Sequence, residues 1–273
     1  MAPADYHIHT SMCRHARGTM AQYVEAALEQ GFPHMGFSDH APTWDQFDPR
    51  HRMDMDQFEH YVSSIEALRT EYPGIRIFTG IEADIYQGFE ESLSRLLTRF
   101  PVDYVIGSVH YAGGYFVFSK DIEPMDTHQQ RAIIDRYFSL MQQGLSTGLI
   151  DIAGHIDVIK GNFMHDAAYI AQQAADVLQK VSCKTHIKIE YNTSGVRKKP
   201  GQAFPSPAVL EAACKLNIPV VTGSDAHSPE QVGMDFSQAH EDLLQAGFVL
   251  HRGGDDEMFC YGCGEEQSKI GVL

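Results

Sequence analysis

The feature that most constrains this chain is a regular alternation between short β-rich runs and longer segments with helical periodicity. The segments between the runs place apolar residues at i, i+3 and i+4, as amphipathic helices do. Thr19 and Ser206-Pro207 have the residue types that begin helices. The seven runs are 5–9, 34–40, 75–85, 103–110, 149–157, 186–192 and 218–227. Strands that alternate with helices in this way predict a parallel sheet.

The seven βα units follow one another without a linker, repeat or low-complexity stretch in 273 residues. This organisation predicts one domain over residues 1–273, built around a parallel barrel, with 248–273 as a C-terminal strand or tail. An open doubly wound sheet would show the same alternation and is the alternative fold. No GxGxxG motif follows the first run, which disfavours the dinucleotide-binding form of that open sheet.

Potential metal ligands stand at or near the end of every run. His7 and His9 are two residues apart, so both would project from the same face of a strand. The strand-end positions are 28 to 45 residues apart, which fits one βα unit each. All strands of a parallel barrel open onto one face, so these side chains converge and predict a multinuclear metal site. The candidates are His7, His9, Asp39, His40, Glu82, His110, His155, Glu190, Asn192, Asp225 and His227, with His15 in the first loop.

The net charge of −15, from 36 acidic and 21 basic side chains, disfavours a nucleic-acid partner. A small anionic substrate is compatible with this charge, because metal ions and placed cations reverse the potential locally. The sequence has no apolar run of membrane-spanning length and no hydrophobic signal core at its start. We therefore expect a cytoplasmic protein without a membrane partner.

Five scattered cysteines in a chain of this kind indicate free thiols. Cys260-x-x-Cys263 has no second cysteine pair beside it. Its alternatives are a zinc or redox site and a mobile tail, and the tail is the expected one.

Seven motifs occur in order over nearly the whole chain: DYHIHT, the later His15, FSDHAP, GIEADI, GSVHY, AGHID and GSDAH. Together they resemble the PHP (polymerase and histidinol phosphatase) superfamily. SMCRHARGT, SDHAP and EYNTSGVRKK are similar to its histidinol-phosphatase branch. The resemblance implies an α/β fold, a distorted (β/α)7 TIM-like barrel in a single domain, that holds three divalent transition metals.

The resemblance also implies how the ligands divide among the metals, with Glu82 bridging the first two. Histidine and carboxylate ligands suit zinc, iron or manganese. Asp39 and Asp157, beside ligand histidines, are expected to orient imidazoles. The implied sets are His7, His9, Glu82 and Asp225 for the first metal, Glu82, His110 and His155 for the second, and His15, His40 and His227 for the third.

Clustered divalent metals suit phosphate ester hydrolysis, because they lower the pKa of bound water and stabilise charge on the phosphoryl oxygens. The sequence has neither a GxSxG elbow nor a P-loop, so attack by a hydroxide bridging the metals is the expected mechanism. Asp225, His227 or a metal-bound water would protonate the leaving oxygen. Arg197 is the expected catalytic cation and phosphate contact, because guanidinium binds phosphate bidentately. Lys160 and Asn192 are further candidates for substrate contacts.

The expected function is hydrolysis of a small phosphomonoester, L-histidinol phosphate, in histidine biosynthesis. One alternative is an exonuclease or nucleotide phosphoesterase on the same scaffold, which the net charge disfavours. The other is a non-catalytic metal-binding module, which the complete ligand set disfavours.

Overall fold

A computed structural model of the protein describes residues 4–119, 125–183, 186–251 and 257–264. Each of the seven β-rich runs contains a strand, and two short hairpins add four more. In chain order the strands are β1 (Ala4–Ile8), β2 (His34–Phe37), β3 (Arg76–Asp84), β4 (Tyr104–Ser108), β5 (Tyr111–Ala112), β6 (Tyr115–Phe116), β7 (Ile152–Ala153), β8 (Lys188–Asn192), β9 (Val220–Gly223), β10 (Phe248–His251) and β11 (Cys260–Cys263).

The seven predicted strands run parallel in the order β1-β2-β3-β4-β7-β8-β9 and close into a barrel. At the closing seam, Ile8 pairs with Ala226 in parallel, and the His9 amide donates to the Ala226 carbonyl at 2.9 Å. The barrel is distorted, because β7 has only 2 residues and the β1–β2 register shifts after Asp5. The predicted (β/α)7 barrel is confirmed, and the open doubly wound sheet is excluded.

The helices follow the strands as the apolar periodicity predicts. Thr19 begins the first helix with a capping box, and Ser206 precedes a helix with proline in its first turn, so both predicted starts are confirmed. No helix among the described residues is both long and apolar enough to cross a membrane. The helices are α1 (Met20–Glu29), α2 (Phe58–Glu71), α3 (Phe89–Arg99), α4 (Thr127–Leu145), α5 (Ala167–Val181), α6 (Ser194–Arg197), α7 (Pro207–Lys215) and α8 (Phe236–Gln245).

The barrel interior is filled by aromatic side chains, among which Tyr104 is central. Tyr6 and Phe78 pack with Tyr104 in a small buried cluster inside the barrel. The Tyr104 hydroxyl donates to the Tyr6 carbonyl at 2.6 Å. The Tyr104 ring lies directly over Gly36 and Gly80, where an added Cβ would come within 2.3 Å and 2.2 Å of its atoms. These two glycines make room for the ring that fills the barrel.

Gly80→Ala is expected to destabilise the protein, because its methyl group would overlap the Tyr104 ring in a close-packed interior. Overpacking of this kind typically costs about 1–3 kcal/mol of the free energy of unfolding. Urea denaturation would measure the change. Gly74→Ala is the matched control, since an added Cβ at Gly74 meets nothing within 4 Å. An equal unfolding free energy in the two variants would contradict this account of the barrel interior.

The C-terminal hairpin differs from the sequence-based expectation. β11 pairs with β10 along its length and with β9 at Tyr261, so Cys260-x-x-Cys263 lies in a strand and not in a mobile tail. Cys263 forms a disulfide with Cys214 of α7, with a Cα–Cα distance of 5.4 Å, which corrects the expectation of free thiols at these two positions. The prediction failed because the two cysteines are 49 residues apart and only the fold brings them together. The other residues of the predicted strand or tail, 252–256 and 265–273, lie outside the described residues.

Candidate metal centre

The nine predicted metal ligands form one cluster at the carboxyl ends of the barrel strands. β1 carries His7 and β3 carries Glu82, while the other ligands lie in the segments that follow the strands. Three groups of side chains place their ligand atoms within 4.8 Å of one another and share members, so the cluster is continuous. The groups are His7, His9 and Glu82; His40, Glu82 and His110; and His15, His40 and His227. Asp225 and His155 join the cluster through contacts to His9 and Glu82.

Glu82 lies at the centre of the cluster, and its two oxygens face different imidazoles. Oε1 lies 3.2 Å from His155 Nε2 and 3.5 Å from His110 Nε2. Oε2 lies 3.0 Å from His40 Nδ1 and 3.5 Å from His7 Nε2. Oε2 is buried and has no hydrogen-bond partner of good geometry among the described residues. A carboxylate shared between two sets of ligands in this way has the geometry of a bridging ligand.

Asp225 also presents two distinct oxygens. Oδ1 lies 3.3 Å from His9 Nε2, inside the cluster. Oδ2 accepts hydrogen bonds from Ser194 Oγ at 2.9 Å and Lys198 Nζ at 2.7 Å. Asp225 has a φ of 53°, a strained conformation for a non-glycine residue that is common at functional sites. One oxygen is therefore held by protein groups, and the other is directed at the imidazoles.

In five of the clustered imidazoles, Nδ1 is hydrogen-bonded either to a carboxylate outside the cluster or to a backbone carbonyl. Each such bond makes Nδ1 the protonated nitrogen, so Nε2 of the neutral ring carries a lone pair. The pairs are His7 with Glu190 Oε1 at 2.6 Å, His9 with Asp39 Oδ1 at 3.4 Å, His110 with Asp84 Oδ1 at 2.7 Å, His15 with the Cys13 carbonyl at 2.7 Å, and His227 with the Asp225 carbonyl at 3.0 Å.

The inward-facing nitrogens lie close to one another. His7 Nε2 is 3.1 Å from His9 Nε2, and His15 Nε2 is 2.9 Å from His227 Nε2. Lone pairs that face each other at this distance repel unless a cation lies beside them. This donor set of imidazoles and carboxylates fits divalent transition metals.

The electrostatics of the cluster point to the same conclusion. Burial would lower the pKa of His7, but the carboxylates of Glu190 and Glu82 raise it to about 10. Burial would raise the pKa of Glu82, but the surrounding imidazoles hold it well below its usual range. The carboxylates thus favour positive charge in the cluster. Protons supply that charge when no metal is bound, and metal binding would release them.

Asp84 and Arg52 support one ligand and were missed by the sequence analysis. Asp84 Oδ1 holds His110, while its Oδ2 accepts from Arg52 Nη2 at 2.6 Å. Both side chains are buried, and the Arg52 guanidinium compensates the Asp84 charge. Asp84 is visible in the GIEADI motif as the second acidic residue of its strand, but Arg52 comes from a loop without a recognisable pattern.

Cys13 was also missed, although it lies between ligands in the SMCRH stretch. Its thiol sulfur belongs to a further group with His9 and His227, with ligand atoms within 4.8 Å. Burial opposes ionisation of the thiol, but hydrogen bonds with His15 and His9 outweigh it and lower the Cys13 pKa.

The two aspartates expected to orient imidazoles have different roles. Asp39 contacts the His9 ring and accepts from the His40 backbone amide at 2.8 Å, so it does orient an imidazole. The Asp157 carboxylate accepts from Lys160 Nζ at 3.1 Å and from the Ser206 amide at 2.8 Å. Asp157 therefore anchors the loop before α7, and the expectation that it orients an imidazole was wrong.

A cavity of about 860 Å³ opens above the cluster, and four cations lie on its wall: Arg52, which is paired with Asp84, and the consecutive residues Arg197, Lys198 and Lys199. Arg197 Nη2 donates to the Ser224 carbonyl at 2.7 Å, and its Nη1 lies 3.6 Å from Asp235 Oδ2. Lys198 contacts a cluster carboxylate directly through Asp225. The wall therefore combines the predicted cation, Arg197, with Lys198, which was not among the predicted phosphate contacts.

Two other predicted substrate contacts do not line this cavity. Lys160 is buried, and its ammonium donates to Asp157 and to the Ala203 carbonyl at 2.9 Å. Asn192 is fully buried, donates to Glu190 Oε1 at 3.0 Å and accepts from the Ser194 amide. Asn192 thereby supports Glu190, and Glu190 in turn holds the ligand His7.

The chain is similar to proteins of known families over most of its length. The PHP domain family matches residues 5–194, and the PHP-associated family matches residues 208–242. The "Probable histidinol-phosphatase" of Deinococcus radiodurans is 35% identical over 247 residues, which cover 89% of this chain and 93% of that protein. The "Histidinol-phosphatase" of Bacillus subtilis is 29% identical, with 85% of this chain and 96% of that protein covered.

A solved structure has the same fold. The histidinol phosphate phosphatase of Lactococcus lactis, complexed with zinc, L-histidinol and phosphate, aligns with a TM-score of 0.73 and 18% identity. The alignment covers 93% of this chain and 97% of that one.

Proposed function

Because this chain belongs to the PHP domain family, we propose that it is a metal-dependent phosphomonoesterase that hydrolyses L-histidinol phosphate to L-histidinol and phosphate. The observation that carries the proposal is the cluster of nine imidazole and carboxylate ligands beside a cavity lined by cations. The relatives from Deinococcus radiodurans and Bacillus subtilis, which bear histidinol-phosphatase names, support the choice of substrate.

We propose three metal positions, with zinc as the leading candidate because the Lactococcus lactis structure contains it. Bound metals would lower the pKa of water and stabilise negative charge on the phosphoryl oxygens. The division of ligands implied by the family agrees with the contacts: Glu82 Oε2 faces His7, and its Oε1 faces His110 and His155. His15 and His227 meet at the cavity side of the cluster. His40 lies between them and Glu82.

Asp225 and His227 are better suited to bind metals than to donate protons. The pKa of Asp225 is held well below its usual range, because Lys198 and His9 outweigh the effect of burial. Burial and the neighbouring His9 lower the pKa of His227 to about 2. Both side chains therefore stay in the deprotonated form that metal ligands require.

Arg197 and Lys198 are the proposed phosphate contacts. Both residues line the cavity. The Lys198 ammonium donates to Asp225 Oδ2, so it lies beside the ligand cluster but is not one of the ligands. Lys160 and Asn192 do not line the cavity. Lys160 anchors the loop before α7, and Asn192 supports Glu190 by donating to its carboxylate.

Parallel assays of phosphate release from histidinol phosphate, AMP and single-stranded DNA test the proposed function. We expect histidinol phosphate to be hydrolysed with the highest kcat/KM. Faster hydrolysis of AMP or DNA would favour the nucleotide-directed alternative and overturn the proposal. The DNA assay also tests the prediction that nucleic acid is not a partner.

Arg197→Ala is expected to lower kcat/KM and to weaken inhibition by inorganic phosphate, while the metal content stays unchanged. Loss of a hydrogen bond between charged groups costs about 1.5–3 kcal/mol, or roughly tenfold to over a hundredfold in kcat/KM. Arg197→Lys should recover part of the loss, because an ammonium keeps the charge but not the bidentate geometry. Steady-state kinetics and metal analysis of both variants measure these effects.

Arg99→Ala is the control for this experiment, because Arg99 lies at the end of α3 and is not among the residues that line the cavity. If kcat/KM of Arg197→Ala equals that of the control, Arg197 does not contact the phosphate. Lys198 would then be the cation to replace.

A further inference from the structure

One aromatic side chain of the cavity wall, Phe118, lies against the proposed phosphate contact Lys198. The Lys198 ammonium is over the Phe118 ring, 4.7 Å from its centroid, which is within the range of a cation–π contact. Both residues line the cavity. They come from different parts of the chain, since Phe118 follows β6 and Lys198 follows α6. The contact therefore joins two separate segments of the cavity wall.

Phe118 is held in place by its own surroundings. The amide of the preceding residue, Val117, donates to the His110 carbonyl at 3.0 Å, and the Val117 carbonyl accepts from Asn162 Nδ2 at 2.7 Å. The Phe118 ring packs against the hydrophobic core and meets the Phe116 ring edge to face, with centroids 5.8 Å apart. These contacts do not involve Lys198, so the ring can serve as a fixed support for the lysine.

Lys198 needs a support of this kind. A lysine side chain loses more rotamer entropy on ordering than most, and 36% of the surface of this one is exposed. Its ammonium donates to Asp225 Oδ2, but Asp225 is also a proposed metal ligand through Oδ1. When the Asp225 carboxylate shares its charge with a metal, its attraction for the ammonium weakens. The attraction of the Phe118 ring face for the ammonium does not depend on Asp225.

We propose that Phe118 is a positioning residue, whose ring holds the Lys198 ammonium at the cavity wall where it meets the substrate phosphate. This inference rests on the proposed function and deepens it. A second carboxylate in the place of Phe118 would also hold the ammonium, but it would neutralise the cation and repel the phosphate. The aromatic face attracts the ammonium through its quadrupole and carries no net charge. The positive charge of Lys198 therefore stays available to an anion.

Phe118 also lies near two proposed ligands of the second metal. Its ring centroid is 6.0 Å from that of His110 and 6.3 Å from that of His155. Support of these imidazoles is the competing role for a ring at this position. The two roles differ in their dependence on Lys198. A substitution that disturbs the imidazoles acts equally with and without Lys198, whereas the loss of positioning matters only when Lys198 is present.

A double-mutant cycle on the affinity for inorganic phosphate tests the proposal. Calorimetry measures the Kd of phosphate for the metal-loaded wild type, Phe118→Leu, Lys198→Ala and the double variant. With Lys198 present, we expect Phe118→Leu to raise the Kd about three- to tenfold, as for the loss of a partly desolvated cation–π contact. In the Lys198→Ala background the rise should be less than about twofold. Phe118→Tyr should have a Kd close to that of the wild type, because it keeps the ring face.

Phe100→Leu is the matched control for the loss of a ring. Phe100 is also a partly buried phenylalanine that packs against the core, and the Arg99 guanidinium lies over its ring at 5.0 Å. It is not among the residues that line the cavity. Its Kd for phosphate should equal that of the wild type. An unchanged Kd in Phe118→Leu, or an equal rise with and without Lys198, would overturn the positioning role.

If Phe118→Leu does not fold or loses metal, site-specific replacement of Phe118 by trifluorophenylalanine takes its place. The fluorine atoms withdraw charge from the ring face at nearly the same shape, so the Kd should rise when Lys198 is present, and an unchanged Kd would overturn the proposal. Failure of the positioning role is distinguishable from failure of the proposed function. Wild-type protein that prefers AMP overturns the choice of substrate, whereas the phosphate cycle does not involve the alcohol part of the ester.

Discussion

Glu82→Gln is expected to lower kcat/KM by roughly a hundredfold to a few thousandfold and to reduce the amount of metal that purifies with the protein. Glutamine has the shape of glutamate but lacks its charge, and one of its two terminal atoms cannot act as a ligand. Glu82 is the side chain on which the first and second ligand sets meet, so its loss leaves several imidazoles without their shared carboxylate. Removing one partner of a buried charged pair costs about 3–5 kcal/mol. Steady-state kinetics and metal analysis measure both effects.

Glu190→Gln is the matched control, since Glu190 is equally buried but contacts His7 through Nδ1, on the side away from the cluster. Loss of a group that orients a ligand typically costs tenfold to about a hundredfold in metal affinity or activity. The Glu82 variant should therefore be the more damaged of the two. Wild-type turnover and metal content in Glu82→Gln would show that Glu82 has only a structural role.

Removal of the metals is expected to abolish phosphate release and to lower the melting temperature. We expect two to three transition-metal equivalents in the purified protein, full loss of activity after prolonged chelation, and recovery when zinc is returned. A ligand that binds only the folded state stabilises it by about 2.7 kcal/mol at a concentration of 100 times its Kd. Metal analysis, activity and thermal melting of the same sample before and after chelation measure these effects.

The carboxylates beside His7 give the metal-free protein a stability that depends on pH. His7 gains protons when the metals leave, because Glu190 and Glu82 raise its pKa to about 10. Its contribution to the stability of the metal-free protein is fully present below the ordinary histidine pKa of about 6.5 and is lost as the pH rises through about 10. Full activity in a sample shown to contain no metal would overturn both the metal centre and the proposed chemistry.

The ligand positions could be predicted from the sequence because a parallel barrel brings every strand end to the same face. His110 is the last residue of its run, and Glu82 lies three residues before the end of its run. The supporting groups could not be found in this way. Arg52 lies in a loop 32 residues before its partner Asp84, and only the folded chain shows that the two meet.

The position of Lys160 could not be predicted from the sequence. It was a candidate for a substrate contact, but a short 3₁₀ helix, Val158–Gly161, turns it back toward Asp157. Among the three consecutive cations, residue type favoured Arg197, because guanidinium binds phosphate bidentately, and gave no reason to choose Lys198. Lys198 is distinguished only by its contact with Asp225, which follows β9 in the folded chain.

The seam that closes the barrel has a consequence for how the protein is made. The ligands at the seam come from opposite ends of the chain, with His15 and His227 separated by 212 residues. When the first eight strands have been synthesised, most of the imidazoles are therefore present. The proposed first and third metal positions are still incomplete, because Asp225 and His227 follow β9. Until β9 emerges, β1 is an open edge that can pair with other chains. Metal ions bound by ligands from both sides of the seam would hold it closed once synthesis is complete, and metal binding would then be the last step of assembly.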